Sequence, residues 1–289
     1  MRLTGRREST NVDDRRSTGT GKKAGMGLGG LLLVAAMAYF SSGGDMGSVL
    51  NAVIQNASQV TTSADGGYTP SAQEEELATF TKQILAGTED VWTAQFKRLG
   101  KTYKVPKLVM FHGSVSSGCG NATSAMGPFY CSADQTVYVD LDFFATMKKE
   151  YGADGDFAYA YVVAHEVGHH VQYLLGTLNS AHTKMSQVSE VESNQISVRI
   201  ELQADFYAGV WAYQDNQMFN SLEDGDIEEG LAIASKIGDD YLQKKAQGYA
   251  VEESFTHGTA AQRMRWLKKG MQTGDIRQGN TFEVSESQL

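Results

Sequence analysis

Apolar residues recur at helical spacing over two long stretches of this chain and gather into short runs elsewhere. In SAQEEELATFTKQILAGTEDVWTAQFKRLG, residues 71–100, the side chains of Leu77, Phe80, Ile84, Val91, Trp92, Phe96 and Leu99 make one apolar face. Ser71 offers a cap, acids fill the first turn and Gly100 offers a stop. PKLVMFHG and QTVYVDLDFF then read as strands, separated by a loop that contains glycines and cysteines. Helical pattern resumes near Phe157 and dominates to about Gly270. From residue 276 the chain reads as a loose tail. The pattern predicts an α+β domain, richer in helix than in strand, with a small sheet.

One further run differs in kind. AGMGLGGLLLVAAMAYF, residues 24–40, carries no charge and has the minimum length of a membrane span. Before it stand Arg2, Arg6, Arg7, Arg15, Arg16, Lys22 and Lys23 against Glu8, Asp13 and Asp14, so the head is net positive although the whole chain carries −9. The positive-inside rule keeps such a head in the cytoplasm and sends the remainder outward. Ala36-Met37-Ala38 also fits a signal-peptidase site, and a buried core helix is a third reading. The length of the head favours the uncleaved anchor. The expected organisation is a basic cytoplasmic head (1–23), a transmembrane signal anchor (24–41), a flexible linker (42–70), a folded domain (71–275) and a tail (276–289). That places the chain in the inner membrane as a single-pass protein with its domain in the periplasm.

With 41% hydrophobic and 10% aromatic residues in 289, a substantial core is available, and the acidic balance argues against nucleic acid as a partner. Cys119 and Cys131 lie close together in the exported part, where an oxidising compartment favours one local disulfide over two buried thiols.

The candidate chemistry lies in DFAYAYVVAHEVGHHVQYLLG, residues 156–176. Apolar residues on all sides predict a buried helix ending at Gly176. His165 and His169 are i and i+4, about 40° apart around the axis, and can aim two imidazoles at one ion. Glu166 is turned about 100° from His165. It flanks the ion instead of binding it, where a general base belongs. His170 is turned about as far again from His169 and reads as a packing residue. Gly168 costs helix propensity unless another element must come close.

A hydrolytic zinc site takes three protein ligands. SNQISVRIELQADFYAGVWAYQ, residues 193–214, is the next strong helix pattern, and Glu201 and Asp205 share one of its faces with Ala208, Gly209 and Ala212. Two bare carboxylates on a largely buried helix call for a cation. Glu201 is the expected third ligand. Asp205, one turn on, is expected to accept a ring N–H from a ligating histidine.

HEVGHH followed by ELQAD resembles the neutral zinc metallopeptidase family of bacteria. The resemblance extends to GRREST-NVDDRR, the single apolar run, GCG…GPFYC, VYVDLDFF, RIELQADFYAGVWA and FTHGTAAQRMRW. The family usually has a cysteine where Phe206 stands here, a position outside the proposed ligands. The Glu-x-x-Ala-Asp arrangement is also similar to membrane-bound zinc proteases that process prenylated proteins and to their heat-shock relatives. In those the Glu binds zinc, which implies the same for Glu201. They also carry a Thr-His followed six residues later by Arg, a spacing that Thr256, His257 and Arg263 repeat.

The resemblance implies a helix-rich, zincin-like domain and a membrane-anchored peptidase with one zinc ion held by His165, His169 and Glu201. Hydrolysis by zinc-activated water then has Glu166 as general base. His257 could donate to the oxyanion or cap the helix containing Trp266. QTVYVDLDFF could be an edge strand that binds peptide by β-addition or an internal strand. The expected partners are a peptide or protein substrate and the membrane. Two other readings stay open: an envelope protein that uses zinc only to hold its fold, and a zinc amidase acting on cell-wall material.

Overall fold

The computed structural model describes residues 1–17, 68–152 and 155–289; the expected anchor (24–41) and most of the linker lie outside them. Among the described residues no helix is long and apolar enough to cross a membrane.

Helix α1 (Ala72–Arg98) begins where the sequence places it. Ser71 Oγ accepts the Glu74 N–H, and the Glu74 carboxylate accepts the Ser71 N–H, a reciprocal capping box. Its face of Ile84, Val91, Trp92 and Phe96 is buried in the main core. A mixed sheet follows in the order β1 (Val12–Asp14), β2 (Lys107–Phe111), β6 (Thr136–Asp140), β5 (Phe129–Cys131). β1, β2 and β6 run parallel, while β5 is antiparallel to β6. The hairpin of β3 (Ser114–Ser117) and β4 (Gly120–Thr123) branches off between β2 and β5. The disulfide Cys119–Cys131 ties that hairpin to β5.

One open alternative is decided here and two sequence expectations change. QTVYVDLDFF is not an edge strand: β6 lies between β2 and β5 and all five of its residues are buried, with helix α2 (Asp142–Tyr151) starting inside the same stretch. The edge is β5. Residues 1–17 are not a separate head either, since β1 pairs Val12 with Leu108 and Asp14 with Met110. Two of their basic residues, Arg6 and Arg7, meet buried acids far along the chain, Asp215 and Glu89. Nor is the tail loose. Arg199 donates to the carbonyls of Thr281 and Val284, and the Trp266 indole donates to the Leu289 carbonyl.

The helices that carry the candidate chemistry are α3 (Asp156–Leu175) and α5 (Glu190–Phe219). They are separated by α4 (Thr177–Met185) and followed by α6 (Asp226–Ala234), α7 (Asp239–Gln247) and α8 (Ala260–Thr273). Gly168 has the reason its sequence position demanded: a Cβ there would lie 2.9 Å from the Ala204 carbonyl oxygen of α5. Gly209 of α5 meets Gly270 of α8 in the same way, Cα to hypothetical Cβ at 2.9 Å. The glycines let three helix backbones approach closely enough for short side chains to reach across.

Candidate metal centre

Two residues fix the histidine tautomers. His165 Nδ1 lies 2.8 Å from Asp205 Oδ1, and His169 Nδ1 lies 2.9 Å from Gln172 Oε1. Asp205 can only accept. Gln172 also accepts, because its amide nitrogen is committed to the Ile200 carbonyl at 2.7 Å and to Gln203 Oε1 at 3.1 Å. Both rings therefore keep a proton on Nδ1, so Nε2 is the nitrogen that can give up its proton and offer a lone pair to a cation. The two Nε2 atoms face one carboxylate: 3.1 Å from His165 to Glu201 Oε2 and 3.4 Å from His169 to Glu201 Oε1. The rings stand almost perpendicular, with centroids 4.8 Å apart. One donor atom from each of His165, His169 and Glu201 lies within 4.8 Å of the others. Two neutral imidazoles and a carboxylate, each histidine braced through its far nitrogen, suit a divalent zinc ion.

Charge points the same way. Burial alone would lower the pKa of His165, but Asp205 and Glu201 reverse the effect and raise it to about 10. Burial would raise the Glu201 carboxyl, yet His169 and His165 hold it well below the usual carboxylate range. The pocket is thus built to favour positive charge beside Glu201. Asp205 itself is fully buried. Burial pushes its pKa up, but Arg263 and His165 prevail and keep it at about 2. Arg263 reaches Asp205 with Nε at 2.9 Å and Nη2 at 2.9 Å, and the Tyr161 hydroxyl donates to Oδ1 at 2.6 Å.

Glu166 is buried beside this set, and burial raises its pKa. The backbone N–H of Tyr130, in the middle of edge strand β5, lies near enough to oppose that rise slightly. His170 does not join the ligands. Its Nε2 lies 2.6 Å from the Lys104 carbonyl oxygen and its Nδ1 lies 2.9 Å from the Tyr130 hydroxyl. His257 does not cap α8, because Thr259 fills that role with Gln262 in a second capping box. Its ring is about half exposed and Nδ1 faces Asp239 Oδ1 at 3.3 Å. The other oxygen of Asp239 accepts the N–H groups of Thr256, His257 and Gly258 at 2.8, 2.6 and 3.0 Å. Burial lowers the His257 pKa, but the Asp239 carboxylate outweighs it and the net shift is upward.

His165, His169, Glu201 and Asp205 are thus joined by short contacts within one cluster, Glu166 is coupled to that cluster electrostatically, and so is His257 through Glu201. Sequence reasoning missed Gln172, Tyr161, Tyr130 and Asp239. Of these Gln172 and Tyr161 carried a signal, being three residues after His169 and four before His165 on the same helix face.

A His-Glu-x-x-His helix crossed by a second helix that supplies Glu and Asp defines the class of zinc-metallopeptidase-like sites. The chain belongs to the family described as "Putative neutral zinc metallopeptidase", which it matches over residues 1–282. It is similar to the uncharacterized protein YpfJ of Escherichia coli K12, with 48% identity over 99% of this chain and 100% of that one. It is also similar to the uncharacterized proteins Rv2575 of Mycobacterium tuberculosis and Mb2605 of Mycobacterium bovis, each 42% identical over 72% of both chains. No solved structure gives a significant match to the chain.

Proposed function

We propose that the chain is a zinc-dependent endopeptidase in which Glu166 is the general base. The observation that carries this reading is the pair of braces: Asp205 and Gln172 turn both Nε2 atoms toward Glu201, with Glu166 next in line on the same helix. A zinc ion held by His165, His169 and Glu201 would supply Lewis acidity, polarising a scissile carbonyl and making water a better nucleophile. Glu166 takes a proton from the attacking water and returns it to the leaving amine. Burial strengthens it as a base by destabilising its ionised form.

The substrate class follows from the strand next to Glu166. Among the described residues β5 is paired on one side only, by β6, and it packs against the helix that carries Glu166. An extended peptide can add there by backbone hydrogen bonds, which sets its scissile bond beside the base. His257, positioned by Asp239, acts as donor to the developing oxyanion. The disulfide supports action outside the cytoplasm, and the apolar run of residues 24–40 supports attachment to the inner membrane.

The decisive experiment is digestion of casein and a mixed peptide library by zinc-loaded protein, with Glu166→Gln in parallel. Cleavage at internal peptide bonds, lost in the variant while zinc is retained, is expected. Equal turnover by the variant removes Glu166 from the mechanism. Inertness of the loaded wild type toward every peptide removes the peptidase reading.

A further inference from the structure

The first seventeen residues complete buried sites in the metal-binding domain. Arg6 reaches Asp215 of α5 with Nη2 at 2.8 Å and Nη1 at 3.2 Å, and Asp215 is 1% exposed. Glu89 of α1, also buried, accepts from Arg7 at 2.8 Å, Ser9 Oγ at 2.5 Å and Asn11 at 2.8 Å. Among the described residues, these two carboxylates take their side-chain partners from the N-terminal segment. Removing that segment would strand two charges in the interior, which is strongly unfavourable. Leu3 enters the main core and β1 extends the sheet by a parallel strand. The segment is therefore a constituent of the folded domain.

Its exit point matters as much. Arg16 is 3% exposed and bonds the Glu75 carboxylate at 2.9 Å and the Glu74 carbonyl at 3.3 Å, in the first turn of α1. The chain thus leaves this part of the structure just after residue 16 and is back beside it by residue 74. A path that starts and ends at one place on a folded domain crosses a bilayer an even number of times. Two crossings need two apolar spans, and the intervening sequence has one, residues 24–40. The next uncharged stretch, 46–64, contains Asn51, Gln55, Asn56 and Gln59, four amides that are costly in hydrocarbon.

We propose that the N-terminal seventeen residues and the metal-binding domain occupy the same compartment, so that the segment joining them makes no net crossing of a membrane. This replaces the arrangement the charge pattern suggested, a cytoplasmic head on one side of a single-pass anchor and a domain on the other. It does not depend on the peptidase reading, because it uses none of the site residues.

The test is compartment labelling in intact cells of the full chain carrying Thr10→Cys or Lys268→Cys. Both positions are exposed and the native cysteines are paired with each other. A membrane-impermeant maleimide should treat the two variants alike, relative to labelling after permeabilisation. Labelling of Lys268→Cys with protection of Thr10→Cys, or the reverse, overturns the proposal. Protection of both keeps it and instead overturns the proposed action outside the cytoplasm. A second measurement uses zero-length carbodiimide coupling on isolated membranes. It should join Glu8 to Lys82 and Asp13 to Lys107, whose charged atoms are 3.5 and 3.3 Å apart. Absence of both links, while Asp240 couples to Lys244, also overturns it.

Discussion

Asp205 Oδ1 lies 2.8 Å from His165 Nδ1, while both of its oxygens are held by Arg263. One carboxylate on α5 thereby locks the tautomer of a histidine on α3 and neutralises a guanidinium on α8. The metal-ligand geometry and the packing of three helices depend on the same side chain.

Replacing Asp205 should separate these two duties. Asp205→Asn keeps the shape and one acceptor but loses the charge that steadies the imidazole, so zinc affinity should fall roughly 10–100-fold. Asp205→Ala leaves Arg263 buried without a counter-charge and should cost about 3–5 kcal/mol of stability. Metal-buffer titration and urea unfolding read the two effects. An Asn variant with wild-type zinc affinity would show that the brace is not needed.

The candidate ligands are legible because helix periodicity maps sequence spacing directly onto direction. His165, His169 and Glu166 on one helix, and Glu201 with Asp205 on another, could be placed before any fold was known. What spacing cannot supply is a partner from a distant element. Arg6 and Asp215 are 209 positions apart, so the basic residues near the N-terminus read as a solvated head. Asp239 clamps the His257 turn from eighteen residues upstream, and nothing in its local pattern announces that. β5 is three residues long, too short to register as a strand, yet it takes the edge position that the longer β6 was considered for. The α+β class and α1 were readable because local caps and a long apolar face agree with each other.

Reduction of the Cys119–Cys131 bond should lower stability by about 3 kcal/mol or less, the chain-entropy value for a loop this short. Cys131 ends β5, whose Tyr130 backbone lies beside Glu166. Loss of the bond should therefore depress peptidase turnover more than it depresses zinc content. Thermal unfolding, zinc analysis and turnover of Cys119→Ser address this together. Full turnover in that variant would detach the disulfide from the site.

Acid sensitivity should trace partly to His170. Burial pulls its pKa down from 6.5 to about 4, against the opposing pull of the Lys104 carbonyl. A folded-state pKa below the unfolded one means that the unfolded chain binds the proton first. The stabilisation is complete above about pH 6.5 and is lost progressively as the pH falls toward 4. Its full size is about 3 kcal/mol, at about 1.4 kcal/mol per pKa unit. His170→Gln keeps a donor and an acceptor without titrating, so its stability should fall less steeply between pH 6.5 and 4. Parallel slopes for the variant and the wild type in urea unfolding would exclude His170 as the source.

Glu201 should be the third zinc ligand, and the acids that precede it on α5 provide the control. Glu190 and Glu192 are exposed in the first turn, and Glu192 is occupied by the cap, its carboxylate accepting the Ser189 N–H at 3.2 Å. Glu201 is three turns further on, where α5 crosses α3, and its two oxygens face His165 and His169. A carboxylate drawn to both imidazoles, and held well below the usual carboxylate range by them, binds hard to a cation placed between them. Removing it leaves two neutral donors, too few for a stable zinc site. Glu201→Ala should therefore lose most bound zinc and all hydrolysis, while Glu192→Ala should keep both and lose only about 1 kcal/mol of helix capping. Glu166→Gln should fall between them, with zinc near one per chain and no turnover. Zinc measured by mass spectrometry on the folded variants, beside a peptide-cleavage assay, distinguishes the three. Zinc retained in Glu201→Ala but lost in Glu192→Ala would move the ligand to the other end of the helix and undo the assignment.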